Sequence, residues 1–133
     1  MGMRGFCQAS FQIEISSYHP HVGEEKAIVG KGGSGTVSLS NCCFRSVFCI
    51  NSEISQEGIG KPRSIEDIAE MMLHLLEMGC HNINLLTQTH YFPHIVLAVN
   101  VAAGKRFWLP LVYNTCGWER LEIVKRLDRR IDT

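Results

Sequence analysis

Three strand-like runs in this chain each end in polar, chemistry-bearing residues, and each then gives way to a helix-forming stretch. The first, Thr36-Val37-Ser38-Leu39-Ser40, leads into a loop with Cys42, Cys43 and Cys49, within the segment Gly33 to Gln56. The second, His81 to Thr87, ends in Thr87-Gln88-Thr89-His90-Tyr91. The third, Phe107 to Tyr113, ends in Asn114-Thr115-Cys116-Gly117. Arg130-Ile131-Asp132-Thr133 reads as the opening of a fourth strand. The order strand, helix, strand, helix, strand, helix, strand predicts an α/β fold, a parallel sheet of βα repeats with right-handed crossovers. Ligands of such sheets gather outside the carboxyl ends of the strands. All three polar clusters are expected at that end.

The helices are set by local signals. Pro62 precedes Ser64, an N-cap residue, and Asp67 three positions on completes a near capping box. Ile65, Ile68, Ala69, Met72, Leu75 and Leu76 recur at helical spacing, and Gly79 closes the helix. A second helix opens at Pro93 and stops at Gly104; it is apolar almost all round, so it is either well buried or not helical throughout. A third runs from Glu119 to Leu127 with Leu121, Val124 and Leu127 inward. At the N-terminus, Phe11 to Ile15 alternates like a short edge strand, and Ser16 to His21 reads as a turn.

The stretch Gly30 to Gly35, GKGGSG, fits the nucleotide-binding pattern G-x-G-x-x-G. A dinucleotide site needs a helix after the glycines, whereas a strand-forming run follows here. The other kinase motifs and the Gly-Lys-Ser/Thr ending of a Walker loop are missing. These glycines are read as an entry into the first strand with close backbone approach to a neighbour.

Thirteen basic and thirteen acidic residues cancel, which argues against a nucleic-acid partner. The one basic cluster, Lys125-Arg126 with Arg129-Arg130, contains Asp128 and neighbours Asp132, so it reads as a solvated helix end. His19 and His21 flank a proline without a nearby cysteine and are expected to be ordinary loop residues. The first fifteen residues lack a signal-peptide core, and the apolar run Ile95 to Ala103 is too short to span a bilayer. No membrane partner is expected. Six cysteines without a dense, loop-rich pattern predict a reducing, cytoplasmic setting with thiols free or metal-bound.

On the stretches ISSYHPHVGEE, GGSGTVSLSNC, FRSVFCINSEISQEG, GCHNINLLTQTHYFP and LPLVYNTCGWE, the chain resembles the radical S-adenosylmethionine (SAM) proteins related to pyruvate formate-lyase activating enzyme. The resemblance covers about Ser16 to Thr133. It implies a single radical SAM-like domain over residues 1–133: an N-terminal segment 1–35 and roughly three βα units, about half of a partial βα barrel, with the C-terminal half of the barrel missing. It implies a 4Fe–4S cluster on a Cys-x3-Cys-x2-Cys loop, with SAM on the open iron. Reductive cleavage of SAM to a 5′-deoxyadenosyl radical would then serve hydrogen abstraction, including glycyl-radical activation of a partner protein. The implied partners are a protein substrate and an electron donor. A half barrel also leaves a sheet edge uncovered, which implies self-association.

Carried over by residue, the resemblance places Cys42 and Cys49 as the first and third cluster ligands and Ser46 where the family has its middle cysteine. Phe48 matches the aromatic residue near the adenine. Thr87, Thr89 and His90 lie in the segment that contacts the SAM amino group, where Gln88 departs from the relatives' proline. Asn114 and Thr115 match the strand end near SAM. A serine oxygen is a hard, high-pKa substitute for thiolate. Cys43 has the wrong spacing to replace it, and its side chain should point away from that of Cys42. Cys116 is a spare ligand by position, with a small buried residue as the plainer reading; Cys7 and Cys80 read as structural or incidental. Two alternatives to an active enzyme stand beside this: a degenerate, non-catalytic remnant, and a zinc module using Cys42, Cys43 or Cys49 with a histidine such as His90.

Overall fold

The computed structural model describes residues 3–86, 89–128 and 131–132. In chain order the strands are β1 (Glu14–His21), β2 (Ser34–Leu39), β3 (Lys61–Pro62), β4 (Asn82–Leu86) and β5 (Leu111–Asn114). The helices are α1 (Lys26–Val29), α2 (Ser52–Ser55), α3 (Ile65–Glu77), α4 (Phe92–Gly104) and α5 (Leu121–Leu127), with one 3-10 turn at Thr89–Tyr91. Together they form an α/β fold on one open, mixed sheet, ordered β3-β1-β2-β4-β5.

The parallel part follows the expected βα repeat: β2 pairs with β4, and β4 with β5, both parallel. The sheet is not parallel throughout, however. β1 pairs antiparallel with β2, and β3 antiparallel with β1. The segment Ser16 to His21, expected to turn, is most of β1. Pro20 is tolerated there because β3 covers only Glu14 and Ile15, so beyond them the outer edge of β1 needs no N–H donor.

Alternation divides the sheet into two chemically different faces. Val37, Leu39, Ile83, Leu85 and Leu111 join Ile13 and Ile15 in one apolar core with Ile68, Met72 and Leu75 of α3 and Ile95, Ala98 and Ala102 of α4. Ser34, Thr36, Ser38, Asn82 and Asn84 take the alternate positions and are also buried. Strands covered on both faces in parallel sheets are usually near-continuous apolar runs; here one face is polar by design of the alternation. The segment around α1 lies along it: Asn82 Nδ2 donates to the Ile28 carbonyl at 2.6 Å, and Ser34 Oγ donates to Asn82 Oδ1 at 2.6 Å.

The capping box of α3 is complete. Asp67 N–H donates to Ser64 Oγ at 3.0 Å, and Ser64 N–H donates to Asp67 Oδ2 at 2.9 Å. Gly79 follows the helix at φ +84°, the left-handed position that a helix end favours. The glycine stretch makes the close approach expected of it. A Cβ on Gly32 would collide with the Gly79 carbonyl, and one on Gly35 would sit 3.2 Å from Leu75 Cβ. These glycines let β2 enter beneath the end of α3, and no phosphate role is needed to explain them.

Three boundaries differ from expectation. β5 begins at Leu111, not Phe107, because the Phe107 N–H is used by the Ala102 carbonyl to close α4. α5 turns Ile123 and Leu127 partly inward, whereas Leu121 and Val124 are exposed. Leu127 lines an apolar cavity with Phe92, Ile95 and Val96 of α4 and with Leu111 and Tyr113 of β5. Ile131 and Asp132 return to β5, where Asp132 N–H donates to the Leu111 carbonyl at 3.0 Å, but they are not a strand. Arg130 and Thr133 of the expected fourth strand lie outside the described residues. No described helix is long and apolar enough to cross a membrane.

Two stability outcomes follow. Ser64→Ala should cost about 1 kcal/mol in urea unfolding, through loss of the cap. The Ser64 N–H and hydroxyl hold the Asp67 carboxyl below its usual pKa. That support is complete above the ordinary carboxylate range and should fade as pH falls through the lowered value. Met72 is fully buried between helix and sheet, so Met72→Ala should cost about 2–5 kcal/mol in the same experiment.

Candidate functional site

The carboxyl ends of β2, β4 and β5 meet around a cleft of about 190 Å³. Cys42, Cys43 and Asn51 line it from the loop after β2; Leu86, Thr89 and His90 line it from the end of β4 and the 3-10 turn. Asn114, Thr115 and Cys116 line it from the end of β5. The register explains the meeting, since Ser38 pairs with Leu86 and Leu86 with Asn114. Three separate polar clusters are therefore brought to one level of the sheet by parallel pairing alone.

The loop after β2 is held from below. Asn41, at φ +66°, donates from Nδ2 to Glu14 Oε2 at 2.6 Å, and Arg4 pairs with the other carboxylate oxygen at 3.0 Å. The Asn41 and Cys42 N–H groups donate to the Ile54 and Ser55 carbonyls of α2. These bonds fix the backbone that carries Cys42 and Cys43. On the opposite wall, Thr89 Oγ1 donates to Glu119 Oε1 at 2.6 Å, tying the 3-10 turn to the loop after β5.

Burial dominates the electrostatics of the cleft. Burial pushes the Cys43 thiol up to about 11, with Cys116, Cys42 and Cys7 adding to it. Burial also lowers the pKa of His90, against the opposing pull of the Ser40 carbonyl and Glu14. His90 Nε2 lies 3.2 Å from the Ser40 carbonyl oxygen, which can only accept, so the proton sits on Nε2. Its Nδ1 is then a bare lone pair, buried without a partner. Tyr113, behind the cleft, is pushed up to about 12 by burial and by the Glu119 carboxylate.

Of the expected SAM contacts, Thr89, His90, Asn114 and Thr115 line the cleft. Phe48 does not; it is 83% exposed on the outer part of its loop. Thr87 lies outside the described residues. Of the expected cluster ligands, Cys42 alone lines the cleft. Cys49 Sγ instead sits 3.2 Å from Ser55 Oγ. Ser46 is half-buried, with its carbonyl accepting from Gln56 Nε2 at 2.6 Å and from Cys49 N–H at 3.2 Å. Cys43 does not point away from Cys42: both line the same cleft, because the chain turns at Asn41 and again at Arg45, both with positive φ. Cys116 is exposed on the opposite wall, not buried. Among the described residues no group of three or more His, Cys, Asp or Glu side chains is arranged to hold a metal ion.

Several participants were not singled out from sequence. Asn51 lines the cleft, Glu119 braces it, and Thr36 and Asn84 lie on the polar face that leads to it. Thr36 Oγ1 and Asn84 Oδ1 are buried and without hydrogen-bond partners. Their signal was available in the polar–apolar alternation of both strands. No family model, curated protein or solved structure matches the chain.

Thiol reactivity tests this geometry. At about pH 8, near the ordinary thiol pKa, iodoacetamide should label exposed Cys116 well before Cys43. Labelling of Cys43 should rise steeply only as pH approaches about 11. Mass-spectrometric peptide mapping over time gives both rates, and equal rates at the lower pH would contradict the burial of Cys43.

Proposed function

We propose that the chain is a SAM-binding domain of the radical SAM type, about half of the partial βα barrel, in which the loop after β2 does not complete a three-thiolate cluster. The observation that carries this reading is the convergence of Thr89, His90, Asn114 and Thr115 with Cys42 on one cleft at the carboxyl ends of the parallel strands. Thr89, His90, Asn114 and Thr115 stand at the positions where the resemblance places SAM contacts, and Cys42 where it places a cluster ligand. Two more features support it. The orphaned Thr36 Oγ1 and Asn84 Oδ1 offer hydrogen-bonding capacity to a polar ligand on the sheet face shared with Leu86 and Asn114. His90 is held toward its neutral form and Cys43 toward its protonated form, so neither brings a charge to a ligand that carries its own.

The cluster does not fit the residues present. At the three family positions its loop offers two thiols and one hydroxyl, the Cys49 thiol is engaged with Ser55, and Ser46 does not line the cleft. Thiolate is the ligand that suits iron–sulfur clusters, and a serine oxygen is a poor replacement. The chain's own residues are assigned to binding: Asn114, Thr115 and Thr89 to hydrogen bonds with the ligand, and His90 Nδ1 to accepting one. A zinc module is the less favoured reading, because no third ligand joins Cys42 and His90 in a metal-holding arrangement among the described residues.

Isothermal titration with SAM and with S-adenosylhomocysteine tests the binding. Both should bind, and Asn114→Ala should weaken them about tenfold, the value of one lost hydrogen bond. Absence of any binding by the folded protein would overturn the reading. Anaerobic reconstitution with iron and sulfide tests the second half. The parent chain should retain no stoichiometric cluster, and Ser46→Cys should gain iron and visible absorption. Formation of 5′-deoxyadenosine by the parent would show that the loop does complete a cluster.

A further inference from the structure

β1 carries the sequence His19-Pro20-His21, and its place in the sheet changes what the two histidines can do. Expected in a turn, they instead lie two residues apart on a strand, so alternation puts both side chains on one face. Their neighbours fix which face that is. Tyr18 packs edge-on against His74 of α3, so His19 and His21 take the face turned away from that helix. Across the ladder His19 pairs with Thr36 and His21 with Ser34, both buried polar residues. The two imidazole rings meet with centres 6.2 Å apart and planes at 89°.

Two further observations single out this pair. A Cβ on Gly23 would sit 3.0 Å from both Cε1 and Nε2 of His21, so glycine there leaves room at the nitrogen edge of the ring. Beside His19 in the ladder, Thr36 Oγ1 is buried with no hydrogen-bond partner, and beside Thr36, in the parallel ladder, so is Asn84 Oδ1. Glu24, whose Oε1 lies 3.5 Å from Asn84 Nδ2, brings a carboxylate to the same face.

We propose that His19 and His21 chelate one divalent transition-metal ion of the class that prefers imidazole nitrogen, represented by Ni²⁺. His21 is half-buried and held against Gly23, whereas His19 is exposed and free to rotate. Rotation of the His19 ring brings its nitrogen to the ion held by His21. Water fills the other coordination positions, since among the described residues no third His, Cys, Asp or Glu side chain joins the pair. Thr36 Oγ1 and Asn84 Oδ1 are the oxygens on this face that are open to hydrogen bonds with metal-held water. The site is separate from the cysteine cleft. His19 and His21 pair with the first half of β2, and the cleft lies beyond its carboxyl end. The proposal therefore stands whether or not the cleft binds SAM.

Ni²⁺ is the probe. The full chain, kept reduced, would be titrated by calorimetry, with the histidine ring signals followed by NMR. One ion should bind per chain, and the His19 and His21 signals should broaden before those of His74, His81, His90 and His94. His19→Ala and His21→Ala should each weaken binding by at least about tenfold, since outer-shell partners alone are worth roughly 10–100-fold. No thiolate-to-nickel charge-transfer band should appear at one equivalent. Such a band, first broadening at His90, binding that survives both histidine substitutions, or no binding at all would each overturn the proposal. The parental ring spectrum decides on its own if a variant fails to fold, as judged by circular dichroism.

Discussion

The fold depends on β2 being satisfied on every side at once. All six of its residues are buried, it pairs antiparallel with β1 and parallel with β4, and it carries the core on one face and polar groups on the other. A buried strand must place every N–H and C=O in a ladder, and β1 and β4 provide both ladders. Small residues at the entry make this possible. Gly32 passes against the end of α3, and Gly35 lets Leu75 close over the strand. A Cβ at Gly32 would collide with the Gly79 carbonyl just past α3, and one at Gly35 would crowd the Asn82 carbonyl, Ile83 and Leu75.

The cleft is a consequence of that arrangement. Parallel strands end at one edge, so the residues that follow β2, β4 and β5 are gathered without any loop having to reach far. What the loops add is precision. The Glu14–Asn41 bond and the two bonds to α2 hold the cysteine loop, and Thr89–Glu119 closes the opposite wall. A buried carboxylate is tolerable only when it is bonded and paired, and Glu14 is, through Asn41 and Arg4. It therefore acts as a structural post beneath the cleft.

Much of the site was legible beforehand because strand ends and polar clusters are local features. The convergence of Thr89, His90, Asn114, Thr115 and Cys42 follows from counting strands. The N-cap at Ser64 and the stop at Gly79 were equally readable, since capping depends on residues within one turn. The antiparallel start was not. A proline between two histidines looks like a turn until a neighbouring strand with a free outer edge makes it acceptable. The phase of α5 is hidden for a related reason. Its apolar residues allow more than one inward face, and the half-buried ones, Ile123 and Leu127, are those that face cavities lined by α4.

Sequence by itself determined the α/β class, the order of the βα units, the main helix boundaries and the three clusters that would share an edge. It also determined that one of three positions in the cysteine loop holds a hydroxyl. Periodicity and capping are short-range, so they survive without knowledge of the fold. Tertiary structure decided which thiols face the cleft. Cysteine spacing points to Cys42, Ser46 and Cys49, but two positive-φ turns and the bonds to α2 turn Cys42 and Cys43 inward and set Cys49 on Ser55. Cys116 joins them only because β5 ends beside β4. Side-chain direction in an irregular loop is set by long-range hydrogen bonds, and no spacing rule in the chain encodes those.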